Sequence, residues 1–389
     1  MNITLKALEI EDWIRNLRRT IHRRPELLYD CKETEALVVK TLKELGVSYE
    51  SGIAETGVVA MIGTGKEPAI ALRADMDALP IQEAVDLPFR SEIKGVMHAC
   101  GHDAHTAMLL GAARLLKARE EELEGTVKLI FQPAEEGGAG ALKMCEAGVL
   151  ETPKVSRIFG IHIWPLLPTG VVGGRAGSLL ASASKVRIVV RGRGGHAAAS
   201  YLAVDPVVCA AAIIGSLQAI VSRETDPLSS AVVSITVVKG GDAHNVIPER
   251  VVLEGTIRSL SESGMEVLKK RVKEISHGVG EAHRCAIDIS FPGETYPPTV
   301  NDPDLWSFSR AIAEDLLEFV EVDPVMGGED FSYFAQRVPG AFMVLGSGNE
   351  ALGTTVSVHH PQFKLDEDVL PLGAALHAAW ALGALESSD

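Results

Sequence analysis

Five short stretches of the chain place carboxylates, imidazoles or a thiol at the ends of apolar runs. They are ALRADMDALP, with Asp75 and Asp77; MHACGHDAHT, with Cys100, His102 and His105; FQPAEEGG, with Glu135 and Glu136; GIHIWP, with His162; and VHHPQF, with His359 and His360. Taken one at a time, each has an ordinary reading. Paired acids after a strand are usually solvated loop charges or helix caps, a lone histidine is usually a satisfied core residue, and CGH is weaker evidence than a CxxC pair. Taken together, they interrupt apolar runs repeatedly at one edge of a predicted sheet, where open α/β folds gather their ligands. Thiolate, imidazole and carboxylate in one place suit a borderline divalent ion such as Zn²⁺, Mn²⁺ or Co²⁺. Glu135 and Glu136 are neighbours, so their side chains diverge. One can then bind metal while the other faces a water whose pKa the metal lowers toward ~7, and takes its proton.

Such groups need a scaffold to hold them. PAIALRA, TVKLIFQ and SRIFGIHIW read as buried strands, with DAHTAMLLGAARLLKAREEE as a long amphipathic helix between the first two. TEALVVKTLKELG has apolar residues at helical spacing and stops at Gly46. From about 181 the rhythm changes. SKVRIVVRG is a strand, DPVVCAAAIIGSLQAIVSR a helix, and SSAVVSITVVKGG and ERVVLEGTIRSL are two strands. SESGMEVLKKRVKEISHGV is a second helix, with Ser261 or Ser263 as N-cap, and AIDISFPG is a last strand. That β-α-β-β-α-β order is the ferredoxin-like arrangement. The chain then returns to strand (GAFMVLGSG) and ends in the core helix PLGAALHAAWALGAL. The expected class is α/β. A domain with a central mixed sheet flanked by helices, residues 1–180 and 296–389, carries an inserted ferredoxin-like domain, residues 181–295.

Composition bounds the partners. A length of 389 residues suggests two domains, and 46% hydrophobic with 23% charged residues is a globular balance. Thirty-seven Lys and Arg against 52 Asp and Glu leave a net charge of -15. Such a chain repels nucleic-acid phosphates and anionic lipid head groups, so a small molecule is the expected partner, with no nucleic acid and no membrane. No apolar stretch approaches the length of a membrane span, and MNITLKALEIEDWIRNLRR lacks the apolar centre of a signal peptide. Cys31, Cys100, Cys145, Cys209 and Cys285 are odd in number and unpaired in spacing, which points to a reducing, cytoplasmic location.

RADMDALP, MHACGHDAHT, FQPAEEG, GIHIWP, GRGGHAA, AHNVIP, GTIRS, GGEDFS and HHPQF follow one another across most of the chain. In this order they resemble the amidohydrolase branch of the aminoacylase/carboxypeptidase metallopeptidase family. Its members include hippurate hydrolases, N-acyl-amino-acid amidohydrolases and plant indole-acetyl-amino-acid hydrolases. The resemblance implies metal ligands at Cys100, His102, Glu136, His162 and His359, with Cys100 bridging two divalent ions per subunit. Mn²⁺ is the expected ion, with Zn²⁺, Co²⁺ or Ni²⁺ as alternatives. It also implies Glu135 as general base and later proton donor to the leaving amine. His196 in GRGGHAA would polarise the substrate carbonyl or stabilise the oxyanion, in its own subunit or its partner's. Asn245 and Arg258 would hold the substrate's carboxylate, Arg258 by a bidentate contact. Glu329, after Gly327 and Gly328, would join them as a substrate-binding residue. Without the resemblance, Arg258 reads as a surface strand arginine and Asn245 as a turn residue.

Asp75 stands where relatives outside this branch keep a metal-binding histidine; with Asp77 it is assigned to supporting the ligands from behind. The inserted domain resembles a lid and dimerisation domain, implying a homodimer or homotetramer. After GGHAA, relatives show a Pro-His pair where this chain has Ser200 and Tyr201, a departure that bears on the acyl group more than on the reaction. The expected function is metal-dependent hydrolysis of the amide bond of N-acyl amino acids or amino-acid conjugates, with a metal-bridging hydroxide as nucleophile. A dipeptidase or carboxypeptidase with the same metal centre is the nearest alternative. A ligand-binding homologue without turnover is another, and Glu135 speaks against it, because a binder needs no general base.

Overall fold

Every residue of strands Ala69–Asp75 and Thr126–Gln132 is buried, as expected of strands in a sheet covered on both faces. The computed structural model describes residues 2–386. It divides into two units: Met1–Leu179 with Val300–Asp323 and Asp330–Asp389, and Leu180–Thr299 with Pro324–Glu329.

The larger unit holds a mixed eight-stranded sheet. Its order is Ser48–Ile53, Gly57–Gly63, Thr126–Gln132, Ala69–Asp75, Val155–Pro168, Gly340–Gly348, Val171–Gly174 and Glu318–Glu321. Ala69–Asp75 runs parallel to both its neighbours, and Gly340–Gly348 runs parallel to Val155–Pro168. Helix His102–Lys117, expected to be amphipathic, is buried along nearly its whole surface; only Arg114 and Lys117 escape. The reason is a second layer, since helices Glu11–Arg23 and Val369–Glu386 pack on it. Gly111 permits the close approach: a Cβ there would lie 2.7 Å from the Ala374 Cβ and 2.8 Å from Ile14. On the last helix, Trp380 stacks on Phe159 at 5.5 Å and donates its indole N–H to the Ser309 carbonyl, so its polar edge is satisfied inside the core. By length and composition, Pro206–Glu224 and Val369–Glu386 are both apolar enough to cross a membrane, contrary to the expectation from sequence. The second is a core helix, 72% buried.

The smaller unit has an antiparallel sheet in the order Ala231–Lys239, Arg250–Ser259, Ser182–Arg191, Ala286–Ser290. Helices Pro206–Ala219 and Glu262–Ala282 complete the β-α-β-β-α-β succession. Alternate strand residues Val186, Ile188, Val190, Leu253 and Ile257 meet Ile213, Leu217, Leu268 and Val272 from the helices. Both helix starts are capped by side chains: Asp205 accepts from Val207 and Val208 ahead of Pro206, and Ser261 accepts from Gly264.

In the larger unit, the segments after Ala69–Asp75 and Thr126–Gln132 and the start of helix His102–Lys117 carry most of the chemistry-bearing residues. That helix is anchored from below. The Asp103 carboxylate accepts from Arg18 Nε and meets His22 Nδ1, both at 2.8 Å, and His22 Nε2 lies 3.1 Å from Glu83. Burial alone would push the Asp103 carboxyl up, but Arg18 and His22 hold it well below the usual carboxylate range. Just before the helix, Gly101 has φ +88°, and a Cβ there would meet Ile163 Cγ1 at 2.5 Å. Gly101→Ala should therefore destabilise the protein by about 1–3 kcal/mol and displace Cys100 and His102 on either side. Thermal unfolding and elemental analysis of the purified variant check this; full stability with an undiminished metal content would contradict it.

Candidate metal centre

The turn that follows strand Thr126–Gln132 bears Glu135 and Glu136. It is flanked by two non-glycine residues in the left-handed region, Ala134 at φ 58° and Ala139 at φ 55°. Such a backbone persists only where its surroundings over-determine it. Here Asp77 does so: its two oxygens accept the Glu135 N–H at 2.9 Å and the Glu136 N–H at 3.1 Å. The two glutamates then take different partners. Glu135 Oε1 accepts the Asp330 N–H at 3.3 Å, whereas Glu136 Oε1 lies 3.2 Å from His359 Nε2. His359 is itself left-handed at φ 62°, with its N–H fixed on the Ala99 carbonyl at 2.8 Å.

The five expected ligands come together in this unit. Donor atoms of Cys100, His102 and His162 lie within 4.8 Å of one another, and so do those of Cys100, Glu136 and His359. Cys100 belongs to both groups, so two ions would share it. The residues fit divalent metals on three further counts. Neither ring nitrogen of buried His102 makes a well-formed hydrogen bond among the described residues, with Nδ1 3.4 Å from Asp77 Oδ1 and Nε2 3.6 Å from Asp75 Oδ2, and Glu136 Oε1 faces His359 Nε2, another expected ligand, an arrangement that a bound cation would satisfy better. His162 donates Nδ1–H to the Ile163 carbonyl at 2.7 Å, which leaves its Nε2 lone pair 3.3 Å from Cys100 Sγ. Burial, with His105 beside it, pushes the His162 pKa well down and keeps that lone pair available. The local field is also anionic. Burial opposes a charge on His102, but Asp75, Asp77 and Glu136 push its pKa up to about 10, and a field that holds a proton there also attracts a divalent cation. These donors therefore suit two divalent ions per subunit.

His105 flanks this set and is already satisfied. Its Nδ1 lies 2.6 Å from Asp75 Oδ1, and its Nε2 accepts the Ile163 N–H at 2.9 Å. Asp75 thus acts through His105, and Asp77 through the backbone of Glu135 and of the expected ligand Glu136. Burial opposes the Asp75 charge, but Arg73, His102 and His105 hold its carboxyl well below the usual range. The sequence reading missed Arg73, Gln132 and Asp330. Arg73 bonds Gln132 Oε1, Asp75 Oδ2 and Asp330 Oδ1 at 2.8, 2.8 and 2.9 Å. An arginine in the otherwise apolar run AIALRA was the available signal, because a buried charge has to be paired.

The other site residues belong to the smaller unit. His196 lies in the two-residue strand Gly195–His196, paired with Val246–Ile247, and the Asn245 carbonyl accepts the Ala197 N–H at 3.0 Å. These elements bring His196 and Asn245 to one place. His196 Nδ1 accepts the Ala198 N–H at 3.1 Å, so in the neutral ring the proton sits on Nε2. Tyr201 and Leu202, in the turn that follows, are 82% and 63% exposed. Arg258 lies farther along strand Arg250–Ser259, its Nε donating to Thr256 Oγ1. Desolvation lowers its pKa, and no carboxylate pairs with it among the described residues. A Cβ on Gly328 would stand 3.1 Å from Arg258 Nη1. Glu329 is buried and accepts Thr299 Oγ1 on its carbonyl.

Known proteins are similar to this chain over nearly its full length. A protein named IAA-amino acid hydrolase ILR1-like 2, from Arabidopsis thaliana, is 49% identical over 97% of this chain and 86% of its own length. Thermostable carboxypeptidase 1 of Saccharolobus solfataricus is 43% identical over 96% of each chain. The crystal structure of the Bacillus subtilis YXEP protein, described as a dinuclear metal binding peptidase from the M20 family, is 37% identical. It covers 97% of this chain and 99% of its own, with a TM-score of 0.84. Residues 71–382 match peptidase family M20/M25/M40, and the chain belongs to that family.

Proposed function

We propose that the protein is a metal-dependent amidohydrolase that cleaves N-acyl amino acids or amino-acid conjugates to a carboxylic acid and an amino acid. The observation that carries this reading is the placement of Glu135 beside two donor groups that share Cys100. A purely ligand-binding protein has no use for such a base. When bound, two divalent ions at Cys100, His102, Glu136, His162 and His359 supply Lewis acidity for the carbonyl and raise the acidity of water at the site. The Glu135 carboxylate takes a proton from the attacking water as the C–O bond forms. It returns that proton to the amide nitrogen as the C–N bond breaks, so the amine leaves neutral. His196, with its proton on Nε2, donates to the carbonyl oxygen as that oxygen becomes negative. Arg258, desolvated and without a carboxylate partner among the described residues, takes the substrate's carboxylate. Asn245 and Glu329 are the further candidates for substrate contact in the smaller unit. The names of the plant hydrolase and of N-acetylcysteine deacetylase of Bacillus subtilis, 40% identical over 96% of this chain, support an acylated amino acid as substrate.

Five free thiols support a reducing, cytoplasmic setting. We also propose a homodimer formed through residues 181–295. Val207 and Val208 are 45% and 55% exposed on helix Pro206–Ala219, apolar surface that a second copy would cover. Light scattering of the purified protein should give twice the mass of one chain; a monomer at micromolar concentration would reject the assembly.

A panel of N-acetyl, N-benzoyl and unblocked dipeptide substrates tests the reaction. The acylated amino acids should be cleaved by protein reconstituted with Mn²⁺, Zn²⁺, Co²⁺ or Ni²⁺, and not after chelation. Glu135→Gln should lower kcat by about 10²–10⁴-fold while the metal content stays that of the wild type. Preferential cleavage of unblocked dipeptides would shift the assignment to a dipeptidase. Arg258→Met should raise KM about 10–100-fold, the worth of a charge-assisted bond of about 1.5–3 kcal/mol. The loss should vanish for substrates whose carboxylate is replaced by a carboxamide; an equal loss on both would remove Arg258 from that role.

A further inference from the structure

Asp330 is fully buried beside the turn that carries Glu135. Its carboxylate is held at both oxygens. Oδ1 accepts from Arg73 Nη2 at 2.9 Å and Gln132 Nε2 at 2.8 Å, and Oδ2 accepts from Gln132 Nε2 at 2.8 Å and the Ala141 N–H at 3.0 Å. Its own N–H donates to Glu135 Oε1 at 3.3 Å. The Glu135 turn is therefore clasped twice. Asp77 holds its start through the N–H groups of Glu135 and Glu136, and Asp330 holds its end through Ala141 and also touches the Glu135 carboxylate. The turn is tight: a Cβ on Gly140 would fall 1.7 Å from the Pro133 carbonyl oxygen, and Ala134 and Ala139 are left-handed at φ 58° and 55°, so the two clasps contain backbone strain.

We propose that Asp330 is a positioning residue for Glu135: anchored by Arg73 and Gln132, it fixes the turn and presents its N–H so that the Glu135 carboxylate has one orientation. This rests on Glu135 being the general base. An anion buried beside an arginine is costly to assemble and adds little stability on its own, so orientation is the reason to keep it. A carboxylate that must meet a water and then a leaving nitrogen loses rate quickly when it turns or shifts by an ångström. Arg73 reaches Asp75 from the same guanidinium, so one buried cation braces the acid behind His105 and the acid that orients Glu135.

The test is a double-mutant cycle on the metal-loaded enzyme with an N-acyl amino acid, assayed below the melting temperature of every variant. Asp330→Asn turns an NH₂ donor toward either the Ala141 N–H or the Arg73 and Gln132 donors, whichever way the amide faces. It should lower kcat about 10–100-fold, leave KM within about 2-fold, and retain the wild-type metal content by elemental analysis. Glu135→Asp withdraws the carboxylate from the Asp330 N–H; in that background Asp330→Asn should lower kcat less than about 3-fold. Equal losses in the two backgrounds would overturn the proposal, as would loss of metal or a rise in KM with kcat unchanged. Gln132→Met, which loosens the same anchor in an apolar side chain of similar shape, carries the cycle if Asp330→Asn does not fold. If Glu135→Asp and Glu135→Gln both leave kcat at the wild-type level, the assignment of the base has failed, a separate result from Asp330→Asn alone having no effect.

Discussion

Carboxylates gathered in a buried space repel one another and resist desolvation, and the catalytic end of the larger unit is built around that constraint. Asp75, Asp77, Asp103, Glu135 and Asp330 are all buried there. Two arginines make this possible. Arg73 joins Asp75 to Asp330, and Arg18 pairs with Asp103. The remaining negative potential falls on His102, whose raised pKa reports it. Pairing behind the candidate ligands, whose donor atoms face one another in front, is the electrostatic arrangement that a divalent cation would complete.

The scaffold follows from the same need. A buried arginine in a strand requires its partners at fixed distances, and only a strand covered on both faces can hold it there. Helix His102–Lys117 helps cover that strand, itself covered in turn by helices Glu11–Arg23 and Val369–Glu386, with its first turn tied to Arg18 and His22 through Asp103. Gly101 then lets the chain turn from Cys100 into the helix against Ile163, where any side chain would collide. The candidate ligands Cys100 and His102 are thus held in place by packing on either side of Gly101.

Much of this was legible in the sequence, and the legible part has a common cause. Cys100, His102, Glu135, Glu136 and His162 interrupt or end apolar runs, so their type and spacing stand out against a simple background. The β-α-β-β-α-β succession was legible because β-branched runs and helix-length apolar segments are separated by clear turn residues, and of the two N-cap candidates, Ser261 and Ser263, the structure uses Ser261. Asp330 was not, because GGEDFS has no flanking periodicity and its partners Arg73 and Gln132 are far away in the chain. The burial of helix His102–Lys117 was missed because Arg114 and Lys117 suggest a polar face that in fact occupies only its last turn. His105 looked like a ligand by type, and only its two hydrogen bonds reveal that it is already occupied.

The histidines show why geometry adds what residue type cannot. His162 and His196 each use Nδ1 on the local backbone, with opposite polarity. His162 donates from Nδ1 to the Ile163 carbonyl, so its Nε2 keeps a lone pair and suits a metal ligand. His196 accepts at Nδ1 from the Ala198 N–H, so its neutral ring carries the proton on Nε2 and suits a donor to an oxyanion. One backbone carbonyl and one backbone amide therefore set which imidazole offers a lone pair at Nε2 and which, when neutral, offers a proton there. Because each tautomer is set by the main chain beside it, neither role depends on the side chain that happens to face the substrate. Variation at Ser200 and Tyr201, in the turn that begins at Ala197, can thus alter what is bound while leaving the His196 tautomer in place.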